Sequence, residues 1–294
     1  MPRRSRLAAL ATLALALFLV SCASDGPSAA PKPNNPKLIL LSTTTTRDSG
    51  VLDALEADFE KRTGYDVTAV VAGSGEVLEL AKRGEGDVLL THSPAAEEEF
   101  MAQGHGVRRE IVMHNDFIIV GPPNDPAKIK GMTASNALKA IAAAKAPFVS
   151  RGDQSGTHVK ELALWKEAGT DPKGQSWYTE TGSGQGQTLN VASETNAYAL
   201  ADRGTYLAVK ANLDLEILVQ RTGTNLLNVY HVTTVNPQKS SKINKEGADA
   251  FANYITSPEG QQLIATVGVE KYGEPLFVPD ARKTMDQIKA QLGG

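Results

Sequence analysis

The chain has 294 residues, 41% of them hydrophobic and 5% aromatic, with a formal net charge of -3. That is the composition of a globular protein of one or two domains. A balance so near neutrality argues against nucleic acid as a partner, but leaves room for a small anionic ligand, where local donors matter more than net charge.

Arg3, Arg4 and Arg6 precede an apolar run from Leu7 to Val20, which is too short for an ordinary membrane span. The run ends at Leu19-Val20-Ser21-Cys22, with no Ala-x-Ala cleavage site, and resembles the lipobox of bacterial lipoproteins. The resemblance implies that residues 1–22 form a lipoprotein signal peptide. Cleavage would leave Cys22 first, its thiol and amine acylated, giving a stable membrane anchor. The alternative is a plain secretory signal with a stray cysteine. Cys22 is the only cysteine, so the exported chain carries no disulfide. Residues 23–36, with Pro27, Pro31, Pro33 and Pro36, read as a semi-extended tether, and folding begins near Lys37.

Leu38-Ile39-Leu40-Leu41 is the continuous apolar run of a strand buried on both faces. It opens into a hydroxyl-rich turn, Ser42 to Gly50, followed by a helix carrying Val51, Leu52, Leu55 and Phe59 and stopping near Gly64. Asp66 to Val71 is a second strand, ending at Gly73-Ser74-Gly75 before a helix through Val77, Leu78 and Ala81. Asp87 to His92 is a third strand, running into Ser93-Pro94 with proline at a first helical position. Glu97, Glu98 and Glu99 then read as a solvated helix face. Asn115 to Pro122 and Leu226 to Val235 are two long β-rich runs, expected to pair as crossings between two lobes. Between them we expect a helix over Ala137 to Ala144 and a loop at Thr181 to Gln187. Next come a helix through Ala197, Leu200 and Ala201 ending at Gly204, then strands at Thr205 to Val209 and Glu216 to Val219. Helices at Glu246 to Ile255, Pro258 to Val267 and Asp280 to Leu292 close the chain. No internal repeat is evident.

The stretch Ser150-Arg151-Gly152-Asp153-Gln154-Ser155-Gly156-Thr157-His158 joins a short strand at Phe148 to a helix beginning near Ser155. The first turn of a helix has unpaired N–H groups and the positive end of the macrodipole. Ser155 and Thr157 add hydroxyls, Gly156 admits a ligand close to the backbone, and Arg151 supplies a planar fork suited to tetrahedral oxyanions. The pattern reads as an anion seat. The plainer reading makes Ser155 an N-cap and Arg151 a surface partner of Asp153. A serine hydrolase is a distant alternative, since Ser155 and His158 lie one turn apart. However, the order is Gly-Asp-Gln-Ser-Gly, not Gly-x-Ser-x-Gly, and no acidic orienter for His158 is apparent in the sequence. Arg151-Gly152-Asp153 also spells an adhesion tripeptide, but wedged between strand and helix. The five histidines lack metal-ligand spacing, and no metal or cofactor is expected.

Several stretches together resemble the tungstate-binding lipoproteins of bacterial ABC importers, relatives of the molybdate and phosphate receptors. They are Thr43-Thr44-Thr45-Thr46 with Asp48-Ser49-Gly50; Gly73-Ser74-Gly75; Val88 to Glu97; Asn115-Asp116-Phe117; Pro147 to His158; Thr195-Asn196-Ala197-Tyr198; and Leu200 to Leu207. Thr46 stands where the family usually has serine, and the hydroxyl is kept. The resemblance implies an α/β, type II periplasmic-binding-protein fold. Two α/β lobes, residues 37–119 with 230–294 and residues 120–229, are joined by a two-strand hinge with the ligand in the cleft. It implies oxyanion contacts from Thr44, Thr45, Ser74, Arg151, Ser155, Gly156, Thr157 and Thr195, the last placed in a strand-to-helix turn at Ser193 to Asn196, with Asp153 orienting Arg151. It further implies a monomeric, extracytoplasmic, non-enzymatic receptor for tungstate or molybdate that delivers to an ABC permease and its ATPase. Another oxyanion, such as phosphate or sulfate, is the alternative ligand.

Overall fold

A computed structural model describes residues 32–292. The expected lipid-acceptor Cys22, the segment before it and residues 23–31 of the expected tether lie outside the described residues. Strand β1 (Lys37–Thr43) buries Leu38, Leu40 and Leu41 completely and leaves Ile39 at the surface edge. The chain continues through α1 (Thr44–Asp48), α2 (Val51–Thr63), β2 (Asp66–Ala72), α3 (Ser74–Lys82), β3 (Val88–Thr91) and α4 (Pro94–Ala102). β2 and β3 flank β1 in parallel, at Leu38↔Val67 and Leu40↔Val88, so three strand ends and the helices after them emerge on one side. Ligands of open α/β sheets collect at such carboxyl ends.

β4 (Gly106–Gly121) is 16 residues long, roughly 50 Å of strand. Its beginning escaped the sequence reading because Val107-Arg108-Arg109-Glu110 has too much charge for a buried run. β5 (Phe148–Ser150) follows helix α5 (Ala134–Ala144) and precedes α6 (Gly156–Glu167), β6 (Tyr178–Glu180), α7 (Gln185–Glu194), β7 (Ala199–Asp202) and α8 (Arg203–Val209). Then come β8 (Glu216–Val219), β9 (Leu227–Val235), α9 (Lys245–Ile255), α10 (Pro258–Thr266), α11 (Val269–Tyr272), β10 (Val278–Pro279) and α12 (Met285–Gln291). The main sheet runs β10-β4-β9-β3-β1-β2. β4 pairs antiparallel with β9 as far as Asp116↔Leu227, then with β7 and β8 from Phe117 onward. The two long crossings are thus neighbours, as expected, and β4 passes from one set of partners to another.

Three sequence expectations fail here for identifiable reasons. The helix expected through Ala197, Leu200 and Ala201 is instead strand β7. Ala199 and Ala201 enter the core built on Leu38, Leu52, Phe59 and Phe251, while Leu200 enters a second core of Ile119, Phe148, Trp165 and Tyr198. A strand buried on both faces tolerates alanine, and tertiary context overrides its helix propensity. Thr205 to Val209, expected as strand, lies in α8, because Asp202 caps it by accepting from Thr205 N at 3.0 Å. Glu97 is not on a solvated face. It is 1% exposed and accepts from Thr91 Oγ1, Ser93 N and Arg109, with His231 Nδ1 2.9 Å away. A buried carboxylate is tolerable only when paired in this way.

Candidate oxyanion-binding site

Each element at the site begins where a strand ends. β5 is buried throughout, since Phe148 packs edge-on against Trp165 at 5.2 Å and stacks on Tyr178 at 5.8 Å. The chain must then reverse within a few residues to start α6. Gly152 has φ +61°, and a Cβ there would stand 2.6 Å from Glu180 Cβ, so only glycine fits. Gln154 also has positive φ, at +58°, an uncommon state for a residue with a side chain. The turn ends at Ser155, the α6 N-cap, whose Oγ accepts from His158 N at 3.3 Å.

Arg151 is 1% exposed, which removes the surface-pair reading. Its Nε and Nη2 donate to Asp153 Oδ2 at 3.1 and 2.5 Å, and Nη2 also donates to Thr44 Oγ1 at 2.8 Å. Asp153 Oδ1 accepts from Ser155 N at 3.1 Å, so one carboxylate fixes both the guanidinium and the helix start. Because Thr44 Oγ1 accepts from the arginine, its own proton remains free to donate.

The turn after β2 meets this loop closely. A Cβ on Gly73 would lie 3.2 Å from Asp153 O. Opposite the α6 start, a Cβ on Gly156 would lie 2.9 Å from both His92 Cε1 and Ser93 Oγ, so glycine is required for the approach. Ser74 Oγ, Thr157 Oγ1 and Arg151 Nη1 are buried and find no hydrogen-bond partner among the described residues. Buried donors are ordinarily satisfied, so three of them on turns that touch mark a place built for an acceptor. The first-turn N–H groups of Gly156 and Thr157, which have no intrahelical acceptor, join them. A cavity of about 620 Å³ adjoins this cluster, lined by His92, Ser93, Phe117, Gln154, Gly156 and His158 among others.

The structure therefore brings together Thr44, Ser74, Arg151, Ser155, Gly156 and Thr157, with Asp153 behind the arginine. Thr45 stands apart from them in its bonding. It is fully buried, with Oγ1 2.9 Å from Thr43 Oγ1, 3.3 Å from His92 Nε2 and accepting from Tyr230 OH at 3.2 Å. Tyr230, Asn115 and Asn228 converge on Asp202, so Thr45 belongs to a polar knot at the β4–β9 crossing. Thr195 is not at a strand-to-helix turn. It ends α7, exposed, donating to Val191 O at 2.6 Å. The start of α7, ten residues and roughly 15 Å away, is what meets α1. A Cβ on Gly184 would lie 3.5 Å from Thr44 Cβ, and Gly186 N donates to Asp48 Oδ2 at 3.2 Å.

Asp48 and the α7 start were missed by sequence reasoning. The available signals were the glycine spacing of Gly182 to Gly186 and the position of Asp48 one helical turn after Thr44. Burial pushes the Asp48 carboxyl up, against the Gly186 N–H and Arg151.

A protein-family profile described as a PBP superfamily domain matches residues 28–259. The chain is 50% identical over 279 residues to the tungstate-binding protein TupA of Peptoclostridium acidaminophilum, covering 93% of this chain and 97% of that one. Among solved structures, the tungstate-binding protein TupA of Desulfovibrio alaskensis G20 is 42% identical with a TM-score of 0.72, over 84% of this chain and all of that one. A tungstate ABC transporter structure from Geobacter sulfurreducens is 47% identical with a TM-score of 0.71, over 78% and 97% of the two chains. The chain belongs to the tungstate-binding family of the type II periplasmic-binding-protein superfamily.

Proposed function

We propose that this protein is the extracytoplasmic receptor of an ABC importer and captures tungstate, and molybdate with it, as the fully deprotonated tetrahedral dianion. The observation that carries this reading is the set of buried, unpartnered donors on touching turns, Ser74 Oγ, Thr157 Oγ1 and Arg151 Nη1. A dianion with no proton accepts from all of them. Relatives named for tungstate binding, and one described as part of an ABC transporter, support the same ligand and a permease with its ATPase as partners. The lipobox-like Cys22 supports attachment to the membrane by acyl chains. We assign residues 37–119 with 230–294 to one lobe and 120–229 to the other, with the protein acting as a monomer.

Catalysis is not part of this reading. Ser155 Oγ accepts from the His158 backbone N–H, and His158 Nδ1 accepts from Gln154 N at 3.0 Å, so this imidazole is not placed as a base for Ser155. Asp48 favours a second reading, in which the ligand keeps a proton, as phosphate does, and gives it to that carboxylate. Thermal unfolding separates binding from no binding. Tungstate at about a hundred times Kd should raise Tm by roughly 5–10 °C. An unchanged Tm in millimolar tungstate would contradict the assignment.

A further inference from the structure

The loop that carries Arg151 is held in shape by a side chain outside the donor set. His158 lies in the first turn of α6 and is 6% exposed. Its Nδ1 is 3.0 Å from Gln154 N, and a backbone N–H can only donate. Nδ1 must therefore be the unprotonated acceptor, and the proton of the neutral ring sits on Nε2. That nitrogen is buried with no hydrogen-bond partner among the described residues, 3.8 Å from Glu180 Oε1. Burial lowers the His158 pKa, against the carboxylates of Asp153 and Glu180, which favours the neutral ring that the contact requires.

Gln154 is the residue that most needs holding. It has φ +58° and stands between Asp153, which orients Arg151, and Ser155, which begins the helix. The His158 acceptor closes a ring of five residues, Gln154 to His158, with Gln154 N donating to Nδ1 and His158 N donating to Ser155 Oγ within it. Without it the strained residue can relax toward negative φ. That relaxation would swing Asp153 and the Gly156 and Thr157 N–H groups away from their convergence.

We infer that His158 is a positioning residue for oxyanion binding, acting through its neutral Nδ1 on the Gln154 amide and not by touching the anion. This rests on the oxyanion-receptor reading, and the test separates the two. Asparagine presents an acceptor close to the place of Nδ1, whereas glutamine reaches the place of Nε2. Titration calorimetry with tungstate at pH 7.5 should give weaker binding, tenfold or more, for His158→Leu and His158→Gln. His158→Asn should return to within about threefold of the wild type. Rescue by Gln, by both or by neither would overturn the inference. If the wild type itself fails to bind tungstate, the receptor reading fails, and the inference is decided on the unliganded protein. There, ¹⁵N NMR should find Nδ1 unprotonated and Nε2 protonated, with the Gln154 amide protected from exchange in the wild type and His158→Asn only. The opposite tautomer, an imidazolium at pH 7.5 or an unprotected Gln154 amide would overturn it.

Discussion

Replacing Arg151 by lysine keeps the charge and removes the fork. The guanidinium places Nε and Nη2 on Asp153 and Nη2 on Thr44, and leaves Nη1 for the ligand. One ammonium cannot occupy these places together. If it stays with Asp153, the anion loses its charged donor; if it turns to the anion, Asp153 is left to Ser155 N alone. A hydrogen bond to a charged group is worth about 1.5–3 kcal/mol, and the site is buried, so the change should cost about 2–4 kcal/mol. Kd for tungstate would then rise roughly 30- to 700-fold. Titration calorimetry measures this, with circular dichroism melting of the unliganded variant to confirm that it folds. A lysine variant within threefold of wild-type affinity would refute the role given to the fork.

Cys22→Ser should leave the protein outside the detergent phase on partitioning, or unprocessed, and continued detergent partitioning would refute acylation at that residue. Burial alone would raise the Glu97 carboxyl, but hydrogen bonds and charge from His231, Arg109 and Thr91 hold it at about 2, against an ordinary 4.5. A depressed carboxylate stabilises the fold above its unfolded value and loses that contribution as pH falls from about 4.5 towards 2, here on the order of 3 kcal/mol. Urea unfolding at pH 7 and pH 3 should therefore show a steeper acid loss for the wild type than for Glu97→Gln; equal losses would refute it. Tungstate should also reduce the radius of gyration in small-angle scattering, since donors come from turns on both sides of the β4–β9 crossing. An unchanged profile alongside tight binding would refute closure.

The strand, turn and helix start that form the candidate seat were legible because their signals are local. Pro147-Phe148 ends a helix connection and starts a strand, Gly152 allows the reversal, and Ser155 caps the next helix. The paired crossings were legible too, since Leu226 to Val235 is a long run rich in β-branched and aromatic residues. What escaped depends on partners distant in sequence. Ala199 and Leu200 become strand because two cores press on opposite faces. Glu97 is buried because Arg109 and His231 come from β4 and β9 to meet it. Thr195 was placed at the ligand by similarity alone, whereas the chain reaches the seat eleven residues earlier, at Gly184. Thr45 was likewise placed at the ligand by similarity, whereas its hydroxyl is committed to a knot whose members span more than a hundred residues.

The central claim is that the site consists of donors matched to an anion that carries no proton, and it predicts an order of ligands. Tungstate and molybdate should bind. Sulfate, deprotonated but smaller, would meet fixed donors at long distances and bind weakly. Phosphate near neutral pH keeps at least one proton, and an unsatisfied buried donor costs about 1–3 kcal/mol, or roughly 5- to 150-fold in affinity. Of the carboxylates described near the seat, Asp48, if its free oxygen turns inward, is the one placed to accept that proton. Titration of the delipidated protein with each of the four anions at pH 7.5, followed by competition against bound tungstate, measures the order directly. Excess phosphate should leave tungstate in place. Displacement by stoichiometric phosphate would contradict the donor-only site and make this protein a phosphate receptor with Asp48 as its acceptor.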